Sequence, residues 1–200
     1  MKKYQLSKEI LKSILSLCNS EGIFNKEFKG NLQIKVTELY GDNIFLVKSD
    51  IINLFFSTNA EFNICYAENY FIEESEEKMF KALNKLHRHF NIYELADNFG
   101  VDVEIFGIAF SFLHEIGHIY KYIRIINKGK SIEELDRRTK HLYERVDEMM
   151  RRGLDGSELY RTISQEREAD LFAITFMVDH IYELIDIVQN NVEVVELEEV

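Results

Sequence analysis

The segment from Val103 to Tyr120 is apolar on nearly every side, yet it carries His114, Glu115 and His118 in its interior. A run of this kind predicts a helix that is buried all round, because a surface helix would show a continuous polar face. Ionisable side chains are costly to bury unless they are paired or bound to a metal. The fold must therefore place this helix near its centre and bring partners to the two histidines.

The five residues at 114–118 have the pattern His-Glu-x-x-His. Positions i and i+4 share one face of a helix, so the imidazoles of His114 and His118 can bind one metal ion together. Glu115 lies about 100° further round the helix, where it can accept a proton from water beside the ion. The pattern is typical of zinc-dependent hydrolases and predicts one Zn²⁺ ion with Glu115 as general base. The alternative is a pair of core histidines satisfied by backbone or carboxylate hydrogen bonds.

A third ligand is needed, because catalytic zinc usually has three protein ligands and one open position. The best source is the segment 157–173, which belongs to an apolar stripe with steps of three and four residues. That stripe contains Leu159, Ile163, Ala173, Met177, Ile181, Leu184 and Val188. Continued through the gap, it passes through Glu166 and Asp170, whereas Glu168 falls on the polar side. Glu166 is therefore the predicted third ligand.

Asp170 lies one helical turn after the predicted ligand. A metal-binding histidine normally donates its other ring N–H to a carboxylate or carbonyl, and we predict that Asp170 accepts this bond from one of the two motif histidines. Ala169 and Ala173 flank the carboxylates and would let two helices approach closely. Gly117 costs about 1 kcal/mol relative to alanine inside a helix, and the same close approach would explain its presence.

The two segments together, His-Glu-Ile-Gly-His at 114–118 and Glu-Arg-Glu-Ala-Asp-Leu-Phe-Ala at 166–173, resemble the gluzincin metallopeptidases. Within that group they look most like the small ImmA/IrrE-type proteins of bacteria and their mobile elements. The resemblance covers residues 100–180. It implies a zincin-like fold in which a small sheet precedes the motif helix, with His114, His118 and Glu166 as zinc ligands and Glu115 as the base. Family members often continue into a Leu-Met-Pro turn, which this chain lacks.

The resemblance also implies hydrolysis of a peptide bond in a protein or peptide substrate. A regulatory DNA-binding protein is a plausible substrate of this kind, and it would be a separate chain, because no helix-turn-helix segment is evident here. The substrate main chain would add a strand to a sheet edge, for which we predict the segment 62–67. Donors to the developing oxyanion could be Tyr120, His141, Tyr143 or Tyr160, which the sequence does not rank.

Two other classes of function compete with a peptidase. One is a non-catalytic zinc-containing interaction protein of the same fold, whose site would be closed by a fourth protein ligand. The other is a di-iron bundle, because residues 115–118 also read Glu-x-x-His; that architecture needs a second such motif, and the sequence contains none. His87 and His89 are two residues apart on a predicted helix and are therefore interpreted as surface residues.

Composition limits the partners and the compartment. The net charge of −11 argues against direct binding to nucleic acid or to an anionic membrane, since phosphate contacts need clustered lysine and arginine. No apolar run is long enough for a transmembrane helix. The two cysteines, Cys18 and Cys65, lie in apolar surroundings and are predicted to be free buried thiols. These features predict a cytoplasmic protein.

The order of patterns predicts an α+β protein, with a small antiparallel sheet in the N-terminal half and a helical C-terminal half. We expect a single domain over 1–200, with a helix and sheet in 1–70, a helical part that holds the metal site in 71–190, and an acidic tail in 191–200 that is either a strand or loose. The predicted strands are 32–37, 43–47, 52–56 and 62–67. The predicted helices are 6–19, 74–90, 101–127, 131–152 and 157–189.

Overall fold

The computed structural model describes residues 2–5, 8–24, 31–38, 45–48, 59–66, 69–70, 91–101, 103–130, 132–154, 156–189 and 193–196. The helices in these ranges are α1 (Lys8–Ser20), α2 (Ile92–Phe99), α3 (Val103–Asn127), α4 (Ile132–Arg151), α5 (Ser157–Thr162), α6 (Ser164–Asp179) and α7 (Ile181–Gln189). The strands are β1 (Lys2–Gln5), β2 (Asn31–Glu38), β3 (Phe45–Lys48), β4 (Asn59–Tyr66), β5 (Asn69–Tyr70) and β6 (Glu193–Glu196). The chain is thus an α+β protein. The predicted strand 52–56 and the predicted helix 74–90, with His87 and His89, lie outside the described residues.

Helix α3 is the buried centre of the helical part, as its apolar sequence predicts. It contributes a large share of the hydrophobic core through Phe106, Ile108, Ala109, Phe110, Phe112, Leu113, Ile116, Ile119 and Ile123, all of which are buried. The helix ends where Gly129 adopts a left-handed conformation with φ +65°. Its N–H bonds the carbonyl of Ile126, which satisfies one of the terminal carbonyl groups.

Helices α3 and α6 approach each other very closely where they cross at Gly117. A Cβ atom added to Gly117 would lie 2.8 Å from the Cα of Ala169 and 3.2 Å from the Cβ of Phe172. The first distance is shorter than real Cβ contacts allow, and the atom it meets belongs to the backbone, which cannot rotate away. The prediction that Gly117 and Ala169 permit a close helix approach is therefore confirmed.

The predicted continuous helix 157–189 is wrong, because the chain bends twice within it. Ile163 has extended backbone angles, with φ −65° and ψ 125°, and separates α5 from α6. His180 separates α6 from α7. Ile163 is fully buried, and neither bend carries a proline or a glycine, so no residue at either bend signals it in the sequence. As a result, Glu166 lies in the first turn of α6 and not in mid-helix.

The predicted antiparallel sheet is also wrong, because the main sheet is mixed. Its strand order is β2-β4-β3, with β2 parallel to β4 and β3 antiparallel to β4. Alternating apolar residues do not distinguish the two directions, whereas a parallel pair needs a connection of about a dozen residues or more. The long stretch between Glu38 and Asn59 meets that need, and β3 lies within it. The segment 62–67, predicted as an edge, instead belongs largely to the central strand, and β3 is the strand that lies against α3.

A second small sheet joins the two ends of the described chain. Its order is β5-β1-β6, and both pairings of the central strand are antiparallel. Its third strand, β6, covers residues 193–196, so part of the segment predicted as an acidic tail is a strand. The register places Lys2 opposite Glu196 and Tyr4 opposite Val194. The sequence did not decide between a strand and a loose tail here, because this short strand becomes regular only by pairing with β1.

Helix α2 was not expected from the apolar pattern, although its ends carry recognisable signals. The Asn91 side chain accepts hydrogen bonds from the N–H groups of Tyr93 and Glu94, which is the role of an N-cap. Gly100 ends the helix with φ +62°. The helix buries only Ile92 and Ala96, and two apolar positions are too few to stand out as a periodic pattern.

Two findings bear on the predicted environment of the chain. Cys18 and Cys65 are both buried free thiols, as predicted, and burial raises the pKa of Cys18 to about 12. Among the residues that the structure describes, none of the helices has both the length and the apolar character required to cross a membrane.

Replacing Gly117 with alanine tests the close crossing of α3 and α6. Alanine improves helix propensity by about 1 kcal/mol, but overpacking against a backbone typically costs about 1–3 kcal/mol. We expect Gly117→Ala to lower the free energy of unfolding in urea denaturation. Ser111→Ala on the same helix adds no atom and is the control, with little change expected. A more stable Gly117→Ala protein would contradict the close contact.

Candidate metal centre

Three side chains from α3 and α6 bring metal-binding atoms together in a buried cluster. The Nε2 atoms of His114 and His118 are 3.1 Å apart. Glu166 Oε2 lies 3.2 Å from the first of these nitrogens and 3.6 Å from the second. His114 and Glu166 are buried, and His118 is partly buried. The spacing of residues along α3 brings the two histidines together, whereas the crossing at Gly117 brings the carboxylate of Glu166 to them.

The spacing of these atoms fits a tetrahedral zinc ion. Nitrogen and oxygen ligands held at about 2.0–2.1 Å from zinc with tetrahedral angles are separated by about 3.3 Å. The three observed separations of 3.1, 3.2 and 3.6 Å bracket that value. The donor set, two imidazoles and one carboxylate, is also one that catalytic zinc uses. Among the described residues, His114, His118 and Glu166 form the group able to hold an ion.

Asp170 supports the cluster from one turn further along α6. The Nδ1–H of His114 donates a hydrogen bond to Asp170 Oδ1 at 2.8 Å, and Asp170 is 1% exposed. This bond holds the imidazole ring with Nε2 directed at His118 and Glu166. The sequence left open which histidine Asp170 would contact, and the structure places it at His114.

The charges in the cluster shift two pKa values in opposite directions. Burial by itself would lower the pKa of His114, but its hydrogen bonds to Asp170 and Glu166 raise that pKa to about 9. Burial would raise the pKa of Glu166, but its bonds with His114 and His118 hold it well below the usual range of a glutamate. Glu166 also lies in the first turn of α6, where the helix dipole favours a negative charge. The carboxylate is therefore ionised and available as a ligand.

Hydrogen bonds also connect the cluster to α4. The hydroxyl of Tyr143 lies 2.5 Å from Glu166 Oε1, to which it donates, and 3.2 Å from Gln165 Oε1. The hydroxyl of Thr139, one turn earlier on α4, donates to the same amide oxygen of Gln165 at 2.7 Å. Thr139 and Gln165 are both buried. These bonds attach α4 to the first turn of α6.

Lys121 holds the same turn of α6 from the opposite helix. Its ammonium group donates to the carbonyl of Ser164 at 3.1 Å and pairs with Glu168 at 3.0 Å. The lysine side chain is 10% exposed, whereas Glu168 is 54% exposed and points away from the metal cluster. The prediction that Glu166 and Glu168 face different ways is therefore confirmed.

The remaining predicted site residues are Glu115, Tyr120, His141 and Tyr160, and the structure places them in different surroundings. Glu115 follows His114 directly on α3 and is partly exposed, and Tyr160 packs its ring edge-on against Tyr143 at 6.2 Å. Tyr120 lies instead beside Phe172, away from the ligand atoms. His141 is exposed on α4. Of the four predicted oxyanion donors, Tyr143 is the one whose hydroxyl bonds a predicted ligand.

A cleft of about 430 Å³ lies between the same two helices but is separate from the three ligands. Its walls include the aromatic rings of Tyr120, Phe172 and Phe176, with Lys121 and Arg124 from α3. None of the three ligands lines it. The guanidinium of Arg124 lies over the ring of Tyr120 at 5.7 Å. Tyr120 therefore belongs to this cleft and not to the metal cluster.

Sequence reasoning missed Thr139, Gln165 and Lys121. Gln165 is a polar residue that the sequence did not single out, and in the structure it is buried under α4. Thr139 lies among charged residues, a context that is typical of a solvated helix face. No local signal could have identified either residue, because their burial depends on how α4 docks on α6.

Zinc binding should depend on pH through His114. With a pKa of about 9, its imidazole carries a proton at neutral pH that zinc must displace. We expect the apparent zinc affinity to rise about tenfold per pH unit from pH 7 towards pH 9, measured by competition with a chromophoric chelator. The sign for stability is opposite: the raised pKa stabilises the metal-free fold at low pH, and this contribution disappears as pH rises through about 9. An affinity that is constant over this range would contradict the protonated imidazole.

Comparison with known proteins finds no relative of this chain: no family model, no curated protein and no solved structure matches it. The resemblance to the gluzincins accordingly rests on residues 114–118 and 166–173. The geometry of the metal cluster stands independently of that resemblance, because it is read from the side chains themselves.

Proposed function

We propose that the chain is a zinc-dependent peptidase, with His114, His118 and Glu166 as the ligands of one Zn²⁺ ion. The observation that carries the proposal is the convergence of three donor atoms, all within 4.8 Å of one another, from residues 52 positions apart in sequence. Two imidazoles and a carboxylate whose donor atoms converge in this way are also a donor set that catalytic zinc uses. A zincin-like arrangement of the sheet and the motif helix is part of the same proposal.

The number of ligands favours a catalytic site over a structural one. A structural zinc site is closed by four protein ligands, whereas a catalytic site has three and leaves a position for water or substrate. In the part of the chain that the structure describes, the cluster contains three such residues. The competing function, a non-catalytic zinc-containing interaction protein, would more naturally show a fourth.

The chain's own residues suggest how a peptide bond would be cleaved. Zinc bound in this cluster would supply Lewis acidity and lower the pKa of water to roughly 7. Glu115, next to a ligand but outside the ligand set, accepts the proton of the attacking water and passes it to the leaving nitrogen. Asp170 keeps the His114 ring in one orientation and one tautomer throughout. Glu166 remains ionised because its partners hold its pKa low.

The sheet offers an edge at which a substrate could be held. Among the described strands β2 and β3 are the outer ones of the order β2-β4-β3, and β3 lies against α3, the helix that carries the motif. An extended peptide could pair with its outer side, main chain to main chain, as peptides do at other sheet edges. This strand replaces the segment 62–67 as the proposed edge. We propose a cytoplasmic protein substrate, such as a DNA-binding regulator, since the net charge of −11 disfavours nucleic acid itself.

Metal content tests the ligand assignment. The purified protein should bind about one equivalent of zinc, and Glu166→Gln should weaken binding by more than about a hundredfold, because a ligand contributes more than an outer-shell partner does. Glu168→Gln is the matched control, the same change two residues along α6 on a side chain that is 54% exposed. Its zinc content should equal that of the unaltered protein. Equal binding by both variants would rule out Glu166 as a ligand.

The role of Glu115 is tested by Glu115→Gln. This variant should retain its fold and its zinc, but it should lose about 10²–10⁴-fold in cleavage rate, the range that a general base contributes. A peptide library prepared from a digested proteome, with new termini identified by mass spectrometry, supplies the substrates. Cleavage that is zinc-dependent and unchanged in Glu115→Gln would remove the general-base role. A zinc-loaded protein that cleaves nothing in the library would favour the interaction protein.

A further inference from the structure

The carboxylate of Glu166 divides its two oxygens between different partners. Oε2 faces the Nε2 atoms of His114 and His118, at 3.2 and 3.6 Å. Oε1 accepts from the hydroxyl of Tyr143 at 2.5 Å. Glu166 is 3% exposed, so bulk water does not compete for either oxygen. One oxygen is thus directed at the ion site, and the other is held by a residue of α4.

The Tyr143 hydroxyl has a single proton, and the distances decide where it goes. A separation of 2.5 Å to Glu166 Oε1 is that of a short bond from a hydroxyl to a charged carboxylate, whereas 3.2 Å to Gln165 Oε1 is long for a hydroxyl donor. The Gln165 oxygen already accepts the proton of Thr139 at 2.7 Å. The tyrosine proton therefore belongs to Glu166.

We propose that Tyr143 is a positioning residue that makes Glu166 bind zinc through one oxygen only. This inference rests on the proposed function and deepens it. A carboxylate can bind a metal ion with one oxygen or with both, and binding with both would occupy the position that substrate or water needs. Tyr143 holds Oε1 away from the ion and keeps that position open. This role differs from the oxyanion donor that the sequence suggested for the same residue.

The proposal also gives α4 a function in the site. On the described part of α4 most side chains are exposed, and the buried ones include Thr139 and Val146. Tyr143 connects this largely solvated helix to the ligand, and Thr139 connects it to the neighbouring residue Gln165. Thr139 therefore serves as an internal control, because its hydroxyl joins the same two helices through Gln165.

The test is the coordination of the metal alone in Tyr143→Phe. Zn²⁺ in the unaltered protein should be four-coordinate by X-ray absorption, and Co²⁺ in its place should show the strong visible bands of a tetrahedral ion. In Tyr143→Phe both oxygens of Glu166 turn to the ion, so the coordination number should rise by one and the Co²⁺ absorption should fall severalfold. Thermal unfolding checks that the variant is folded. No substrate is present, so an oxyanion donor would leave these spectra unchanged.

Thr139→Val is the matched control, because it breaks a hydroxyl bond between the same helices and keeps the volume of the side chain. It should give the spectra of the unaltered protein. Equal changes in Thr139→Val and Tyr143→Phe would show that docking of α4, and not the tyrosine hydroxyl, controls the site, and would overturn the proposal. If Tyr143→Phe does not fold, Tyr143→fluorotyrosine keeps the shape and makes a stronger donor. Because the stronger donor still holds Oε1 away from the ion, Co²⁺ should keep the strong bands of a tetrahedral ion, and the weaker bands of a five-coordinate ion in this protein would overturn the proposal.

The outcomes separate this inference from the proposed function. A wild-type protein that binds neither Zn²⁺ nor Co²⁺ would refute the metal site itself. Wild-type binding with four ligands, together with an identical spectrum for folded Tyr143→Phe, would refute the role of Tyr143 and leave the peptidase proposal intact.

Discussion

The crossing of α3 over α6 at Gly117 is the contact on which the rest of the site depends. Two helices approach so closely there that a methyl group on Gly117 would meet the backbone of Ala169. Only at this separation can Glu166, three residues before Ala169, come within 3.2 Å of a histidine nitrogen on the other helix. The missing side chain thus costs helix propensity but allows the short distance between Glu166 and the two histidines.

A dense group of charges follows from that crossing, and each of its members needs a partner. Two buried carboxylates, Glu166 and Asp170, face His114, whose pKa rises to about 9 as a result. Tyr143 joins this group from α4 through its bond to Glu166. The polar residues therefore form a connected network in a core that is otherwise apolar. Such a network is stable only while its members are satisfied, which ties the position of α4 to the candidate metal centre.

Local patterns predicted the longest helices and the positions of the three strands of the main sheet, but not the strand directions or the bends between helices. Helix α3 was predicted at 101–127 and begins at Val103, because its apolar pattern is long and continuous. The direction of β2 relative to β4 depends on where the intervening chain passes, which alternation does not encode. The bend at Ile163 could not be predicted for a similar reason. The residue is buried by its neighbours in space, and no proline or glycine marks the bend in the sequence.

The sequence by itself determined the pair His114 and His118 and the register of Glu166 with Asp170, because both depend only on the period of a helix. It also indicated, through Gly117, that a close contact was needed. Only the tertiary structure decided which histidine Asp170 contacts and that Tyr143 bonds Glu166. Those contacts depend on how α4 and α6 dock. They join residues that are far apart in the chain, so no local sequence pattern predicts the distances between them.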